Sequence, residues 1–248
     1  METQTTMYIN YAPIYDATGQ ARHGVHLAER AIGWMHAHER YPRKVLDLAC
    51  GTGVVAQMLA AQGCSVIGLD CSAAMLHIAQ AKTRNSGQSV TLIEADMRAL
   101  TEISGVGHAS FDFVSCFGGL NYLVEGNNLV AILAQVHKVL KPGGIFAFDV
   151  RRVEDYVMWD DRDIVVYDNQ DCLVYHQLHY DSRKQLAKRR IGWFVREIDR
   201  WWRGEETHIE HPWNDVEVLE ALEKMHLSLE LQDVIEEEQT CFYIVRKS

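Results

Sequence analysis

Two rhythms of apolar residues alternate through the first 150 positions of the chain. Short apolar runs predict strands over 44–49, 65–69, 89–93, 111–116 and 144–149, and stretches with helical periodicity predict helices over 54–62, 73–82 and 128–140. That alternation is the pattern of a parallel sheet with crossover helices, an α/β fold of the doubly wound kind. Ahead of it, residues 24–39 read as an amphipathic helix with Leu27, Ala31, Trp34 and Met35 on one side, preceded by an aromatic segment from Tyr8 to Tyr15. The helix from Asn128 carries Leu129, Ile132, Leu133, Val136 and Leu140 at helical spacing and stops at Pro142-Gly143-Gly144. After Asp149 the period changes to that of strands. Residues 163–168, 172–181, 189–199 and 205–210 are rich in Val, Tyr, Trp and Thr and predict consecutive antiparallel strands, inserted before a last helix. Asn214 with Glu217 three residues on predicts the capping box of that helix, and Leu227 to Val234 and Thr240 to Val245 predict two terminal strands.

The chemistry concentrates at one junction. Leu46-Asp47-Leu48-Ala49-Cys50-Gly51-Thr52-Gly53 reads as the end of a buried strand, a glycine turn and the start of a helix. In a doubly wound sheet that junction lies in the crevice at the carboxyl ends of the strands, where nucleotide-like ligands bind. Asp70 ends the next apolar run, 19 residues beyond Gly51, where a carboxylate can meet ribose hydroxyls. Gly51, Gly53 and Ala56 also satisfy the dinucleotide spacing G-x-G-x-x-G/A, so the loop alone does not choose the ligand. Asp47 does: a carboxylate four residues before the first glycine repels a pyrophosphate and favours a cation. The ammonium and sulfonium of S-adenosylmethionine are such cations. Asp96, after the run Val90 to Ile93, is placed to accept a hydrogen bond from an adenine amino group.

These residues resemble the class I S-adenosylmethionine-dependent methyltransferases. The family's first motif, D-x-G-x-G-x-G, is matched by Asp47 to Gly53 with Ala49 in place of the first glycine. The resemblance continues through Gly68-Leu69-Asp70-Cys71-Ser72, Glu94-Ala95-Asp96-Met97, Phe111-Asp112-Phe113-Val114 and Leu140-Lys141-Pro142-Gly143-Gly144. Gly119-Leu120-Asn121-Tyr122, Trp193-Phe194-Val195-Arg196 and the Glu-rich hairpin ending at His211 look like the small-molecule branch that includes amino-sugar N-methyltransferases. The resemblance implies a seven-stranded Rossmann-like sheet whose last strand is antiparallel, with the insert as a substrate lid. Residues 1–150 are then an N-terminal helical segment and cofactor core, 151–213 the inserted β lid, and 214–248 the helix and strands that complete the sheet. It implies cofactor contacts from Tyr15, Asp47, Ala49, Gly51, Gly53, Asp70, Cys71, Met75, Asp96, Met97 and Phe117.

The expected reaction is in-line methyl transfer to a small-molecule acceptor, an amine nitrogen by preference, in which alignment in a dry site does most of the work. Tyr11, Tyr122 and His176 are the candidates for contact with the acceptor, with Asp149 and Arg196 also considered. His176 and His179 point to opposite faces of a strand, so they are no metal pair, and no metal is expected. Trp201-Trp202 reads as core or as a flat apolar wall. A dinucleotide oxidoreductase would leave Asp47 and Asp96 unexplained, and a non-catalytic S-adenosylmethionine-binding module would keep the same motifs.

Composition narrows the partners. The formal charge of −10, from 34 acids against 24 bases, disfavours nucleic acid. The one basic cluster, Arg183-Lys184 with Lys188-Arg189-Arg190, reads as a solvated turn. Six scattered cysteines without a C-x-x-C pair suit reduced thiols. No run of 18 apolar residues occurs, and Met1-Glu2-Thr3-Gln4 has neither the basic nor the apolar region of a signal peptide, so a cytoplasmic protein without a membrane partner is expected.

Overall fold

The computed structural model describes residues 7–124, 128–159 and 161–248, so the signal-peptide reading at Met1 to Gln4 falls outside the described residues. In chain order the elements are α1 (Ala12–Tyr15), α2 (Arg22–Ala37), β1 (Lys44–Leu48), α3 (Val54–Ala61), β2 (Ser65–Asp70), α4 (Ala73–Ser86), β3 (Val90–Glu94), β4 (Phe111–Cys116), α5 (Asn128–Val139), β5 (Leu140–Val150), α6 (Val153–Val157), β6 (Arg162–Asp168), β7 (Cys172–Asp181), β8 (Leu186–Glu197), β9 (Arg200–Glu210), α7 (Asp215–Lys224), β10 (Leu227–Ile235) and β11 (Thr240–Lys247).

Seven strands form one sheet in the order β10-β11-β5-β4-β1-β2-β3. β11 runs antiparallel to both of its neighbours, whereas β1 to β5 pair in parallel. The fold is thus a doubly wound α/β sheet with a reversed last strand, as the resemblance implies. The central strand β1 is covered on both faces: Val45, Leu46, Asp47 and Leu48 are all buried. On one face α5 buries Leu129, Ile132, Leu133 and Val136 against Phe146 and Phe148, each such side chain contributing about 1.5–3 kcal/mol. On the other, α2 lays Leu27, Ala31 and Met35 on Val45, Phe113 and Ile145.

β5 opens four residues earlier than the stop signal at Pro142-Gly143-Gly144 indicates. Leu140 already pairs with Phe111, and the extra residues are absorbed by a register shift before Phe113 pairs with Ile145. Gly143, at φ +73°, and Gly144, whose Cβ would lie 3.2 Å from Phe111 O, permit that bulge. The capping box of α7 forms as expected: Asn214 Oδ1 accepts from Glu217 N at 2.8 Å and Asn214 N donates to Glu217 Oε2 at 3.0 Å.

The insert folds as a separate four-stranded antiparallel meander, β6-β7-β8-β9. Two readings of it need correction. Lys188-Arg189-Arg190 lies inside β8, where strand alternation puts Arg189 on the same face as Ile191 and Trp193, inward and largely buried. Trp201 and Trp202 are 52% and 56% exposed on β9 and belong to no core cluster, because the hairpin tip projects beyond the packed part of the sheet. All six cysteines are free thiols. Among the described residues, no helix is long and apolar enough to cross a membrane and no cluster of ligating side chains could hold a metal.

Candidate active site

A cavity opens at the carboxyl ends of β1, β2 and β4, where the strand order reverses about β1. β1 runs into the turn Ala49 to Gly53, which leads into α3. Ala49 and Gly51 both take the left-handed conformation, at φ +53°. Glycine adopts that conformation without strain, and the turn carries its backbone along the cavity wall.

Asp47 lies in the wall at 2% exposure. Parallel pairing sets Ser115 of β4 beside it, and Ser115 Oγ donates to Asp47 Oδ1 at 2.7 Å. Asp47 Oδ2 is buried without a partner. Burial, reinforced by the nearby Asp70 charge and eased by the Ser115 bond, pushes the Asp47 carboxyl up to about 7. A buried acid with an unsatisfied oxygen is the complement of a ligand ammonium. At the end of β2, Asp70 accepts from Gly51 N and from Ser72 N, both at 2.8 Å, so the strand end and the glycine turn are fixed to each other. Asp96 follows β3 and also lies in the wall, but both of its oxygens are held by the Arg98 guanidinium. Its carboxyl is accordingly lowered, Arg98 outweighing partial burial.

Of the expected cofactor contacts, Tyr15, Asp47, Ala49, Gly51, Asp70, Cys71, Met75, Asp96, Met97 and Phe117 all line this cavity. Gly53 does not. It caps α3 at φ +76°, where an added Cβ would lie 2.9 Å from Ala79 Cβ, so its place is the close approach of α3 to α4.

The candidates for acceptor contact separate. Tyr122, in a helical turn after β4, lines the cavity. Tyr11 is fully buried away from it, donating or accepting at Thr18 Oγ1 over 2.9 Å and packing on Trp193. His176 is buried in β7, its Nε2 unpartnered, and burial together with the Arg189 charge lowers it to about 3. A histidine so disfavoured as a cation, away from the cavity, is no base for the acceptor. Arg196 pairs with Asp171 at the far end of the insert.

No described insert residue lines the cavity. The N-terminal segment lies between: Tyr8, Tyr11 and Tyr15 pack on Val174, Ile191 and Trp193 of the insert sheet, while Tyr8 and Tyr15 face the cavity. Glu206 of β9 anchors the segment by accepting from Tyr8 N, Asn10 N and Tyr11 N at 2.8, 2.6 and 3.1 Å. At its other end Asp16 accepts from Thr52 of the glycine turn at 2.7 Å. Two wall residues that the sequence did not single out follow from this arrangement, Tyr8 and His23. His23 Nε2 meets Asp149 Oδ2 at 2.9 Å, and Asp149 also accepts from Gly118 N and Thr240 Oγ1.

Residues 45–144 match the family model described as a methyltransferase domain. YqeM of Bacillus subtilis, provisionally named a methyltransferase, is 37% identical over 145 residues, 58% of this chain and 55% of that protein. The chain matches about half the length of such curated relatives. Among solved structures, an S-adenosylmethionine-dependent methyltransferase from Clostridium acetobutylicum superposes with a TM-score of 0.83 at 24% identity, over 96% of this chain and 98% of that one. CalS10, an amino pentose methyltransferase from Micromonospora echinaspora, superposes with a TM-score of 0.74 at 21% identity, over 96% of both chains. The fold, insert included, is therefore the one these solved methyltransferases share.

Proposed function

We propose that the chain transfers a methyl group from S-adenosylmethionine to a small-molecule acceptor, an amine nitrogen by preference. The observation that carries this reading is the buried, unpartnered Oδ2 of Asp47 in a cavity that also holds Asp70 and Asp96. Asp47 and Asp70 at one cavity suit a cationic nucleoside and repel a dinucleotide pyrophosphate, while the Asp96 charge is already met by Arg98. Asp47 would hold the ammonium, Asp70 the ribose hydroxyls and the apolar wall of Met75, Met97 and Ala95 the adenine. When bound, the cofactor supplies an already activated methyl group on a sulfonium.

The protein's part is alignment and exclusion of water. Tyr8 and Tyr15, pressed against the cavity by the insert, close it on the N-terminal side. Tyr122, beside the glycine pair Gly118-Gly119, marks the acceptor end. Support for an amine acceptor comes from the likeness to the amino pentose methyltransferase, which extends through the insert.

Calorimetry with S-adenosylhomocysteine and with NAD tests the cofactor reading. Binding of the first and not the second is expected, and the reverse would sink it. Methyl transfer to a library of primary amines, amino sugars included, then tests the acceptor. Cofactor binding with no amine, hydroxyl or carbon acceptor turned over would leave a binding module in its place.

A further inference from the structure

Behind the two cavity tyrosines lies a chain of hydrogen bonds whose ends can act in only one way. Tyr8 Oη meets Tyr122 Oη at 2.6 Å, Tyr122 Oη meets His208 Nδ1 at 3.2 Å, and His208 Nε2 meets Glu206 Oε2 at 3.3 Å. At the side, Arg189 Nη2 donates to Tyr122 Oη at 2.7 Å and pairs with Glu210 Oε1 at 2.5 Å. His208 is fully buried, its ring set edge-on to Tyr8 with centroids 4.4 Å apart.

We propose that His208 and Arg189 fix the polarity of the acceptor end, so that Tyr8 presents a hydrogen-bond acceptor to the cavity and the site selects substrates that donate an N–H or O–H there. This rests on the methyltransferase reading and narrows its substrate class. The derivation is a count of protons. Glu206 already accepts three backbone N–H groups, so it is an ionised acceptor. His208 must therefore carry its proton on Nε2, which leaves a lone pair on Nδ1. Tyr122 then donates to Nδ1. A guanidinium can only donate, so Tyr122 Oη accepts from Arg189, and with its single proton given to Nδ1 it can only accept from the Tyr8 hydroxyl as well. The Tyr8 O–H is thereby committed, and its oxygen can only accept from a cavity ligand. His208 acts through Tyr122 and Tyr8, as a positioning residue.

The polarity depends on His208 being neutral. Burial, with Arg189 adding to it, outweighs the pull of Glu206 and Glu210 and lowers His208 below the ordinary histidine value. The groups facing it are Tyr8 from the N-terminal segment, Tyr122 from the turn after β4, Glu206 and Glu210 on its own strand, Arg189 on β8 and His176 on β7. Both tyrosines are raised by burial and stay protonated. As pH falls through the His208 value, Nδ1 gains a proton, Tyr122 must accept from it, and the chain reverses to present a Tyr8 donor.

The deciding experiment is nitrogen NMR of 15N-histidine-labelled full-length protein saturated with S-adenosylhomocysteine, with His208 assigned by loss of its signal in His208→Asn. We expect the Nε2–H tautomer, a titration midpoint below that of free histidine, and an upward shift of the midpoint in Arg189→Met. An Nδ1–H tautomer, or a midpoint insensitive to Arg189, overturns the proposal. Failure of S-adenosylhomocysteine to bind would instead sink the methyltransferase reading, and the tautomer would still be read on the free protein. For any amine turned over, methylation should stop at the tertiary amine, since that product has no N–H to offer while its lone pair is free. Quaternary ammonium product in mass spectra also overturns it. His208→Asn, whose amide oxygen can stand in for Nδ1, should keep turnover within about threefold, whereas His208→Leu should lose turnover at least tenfold with the S-adenosylhomocysteine affinity unchanged. A loss of turnover in His208→Asn as large as that in His208→Leu counts against the proposal.

Discussion

The methyl group of Ala49 fills the space that a side chain on Gly119 would need: a Cβ at Gly119 would lie 2.7 Å from Ala49 Cβ and 2.9 Å from Cys116 Sγ. Ala49 itself is held in the left-handed region, at φ +53°, a conformation that costs an alanine about 1–2 kcal/mol. The departure from the usual glycine at position 49 is thus accommodated by a second glycine on the opposite wall.

The pair should behave as a coupled unit in a double-mutant cycle. Ala49→Gly relieves the left-handed strain and is expected to raise stability by about 0.5–1 kcal/mol. Gly119→Ala overpacks the wall and should cost about 1–3 kcal/mol. The double variant should recover part of that loss, the Cys116 contact remaining, and strict additivity in denaturant melts would show that the two walls do not touch.

Asp47 trades stability for binding. Its folded-state value is raised from 3.8 to about 7, chiefly by burial. Between those values the unfolded chain has lost the proton and the folded one keeps it, so stability falls as pH rises across that window and is level above it. At about 1.4 kcal/mol per unit the cost near pH 8 is a few kcal/mol. Asp47→Asn should therefore melt higher than the parent near pH 8 and alike near pH 4, while binding S-adenosylhomocysteine more weakly. In the parent, that affinity should fall with pH below about 7. A variant that binds as the parent does would remove Asp47 from the ammonium site.

Asp70→Ala should weaken S-adenosylhomocysteine about 10- to 100-fold, from the loss of charge-assisted bonds of about 1.5–3 kcal/mol. Because Asp70 also holds Gly51 N and Ser72 N, the melting temperature should drop as well. A stability loss with calorimetric affinity intact would assign Asp70 to the loop alone.

The sheet was legible because its parallel strands are short apolar runs, β1 and β2 carrying the site residues Asp47 and Asp70 at or next to their ends, and each helix keeps its period. The cofactor side of the site was legible for the same reason: its residues sit at strand ends. The acceptor side was not. Tyr8 and Tyr11 are three residues apart in one aromatic segment, and only the insert's packing decides that Tyr11 turns to Trp193 while Tyr8 meets Tyr122. Arg189 lay within a run of three basic residues, although its alternation with Ile191 and Trp193 already marked the inward face of a strand. His23 and Asp149 are 126 residues apart, and nothing local joins them.

Glu206 links the insert to the cavity, and its removal should loosen the N-terminal segment selectively. Its carboxylate accepts three backbone N–H bonds from residues 8–11, of the charge-assisted kind worth about 1.5–3 kcal/mol each at most. Burial raises its value, but the His208 bond and the backbone donors prevail, leaving it below the ordinary 4.5. A depressed carboxyl stabilises above its unfolded value and loses that contribution as pH falls through its folded one. In Glu206→Ala, hydrogen exchange at Tyr8, Asn10 and Tyr11 should accelerate at neutral pH, with the amides of β1 and β4 unchanged. The parent should show the same loosening only under acid conditions, below about 4.5. Exchange that stays slow at those three amides in the variant would mean that the aromatic packing on Val174, Ile191 and Trp193 holds the segment without the carboxylate.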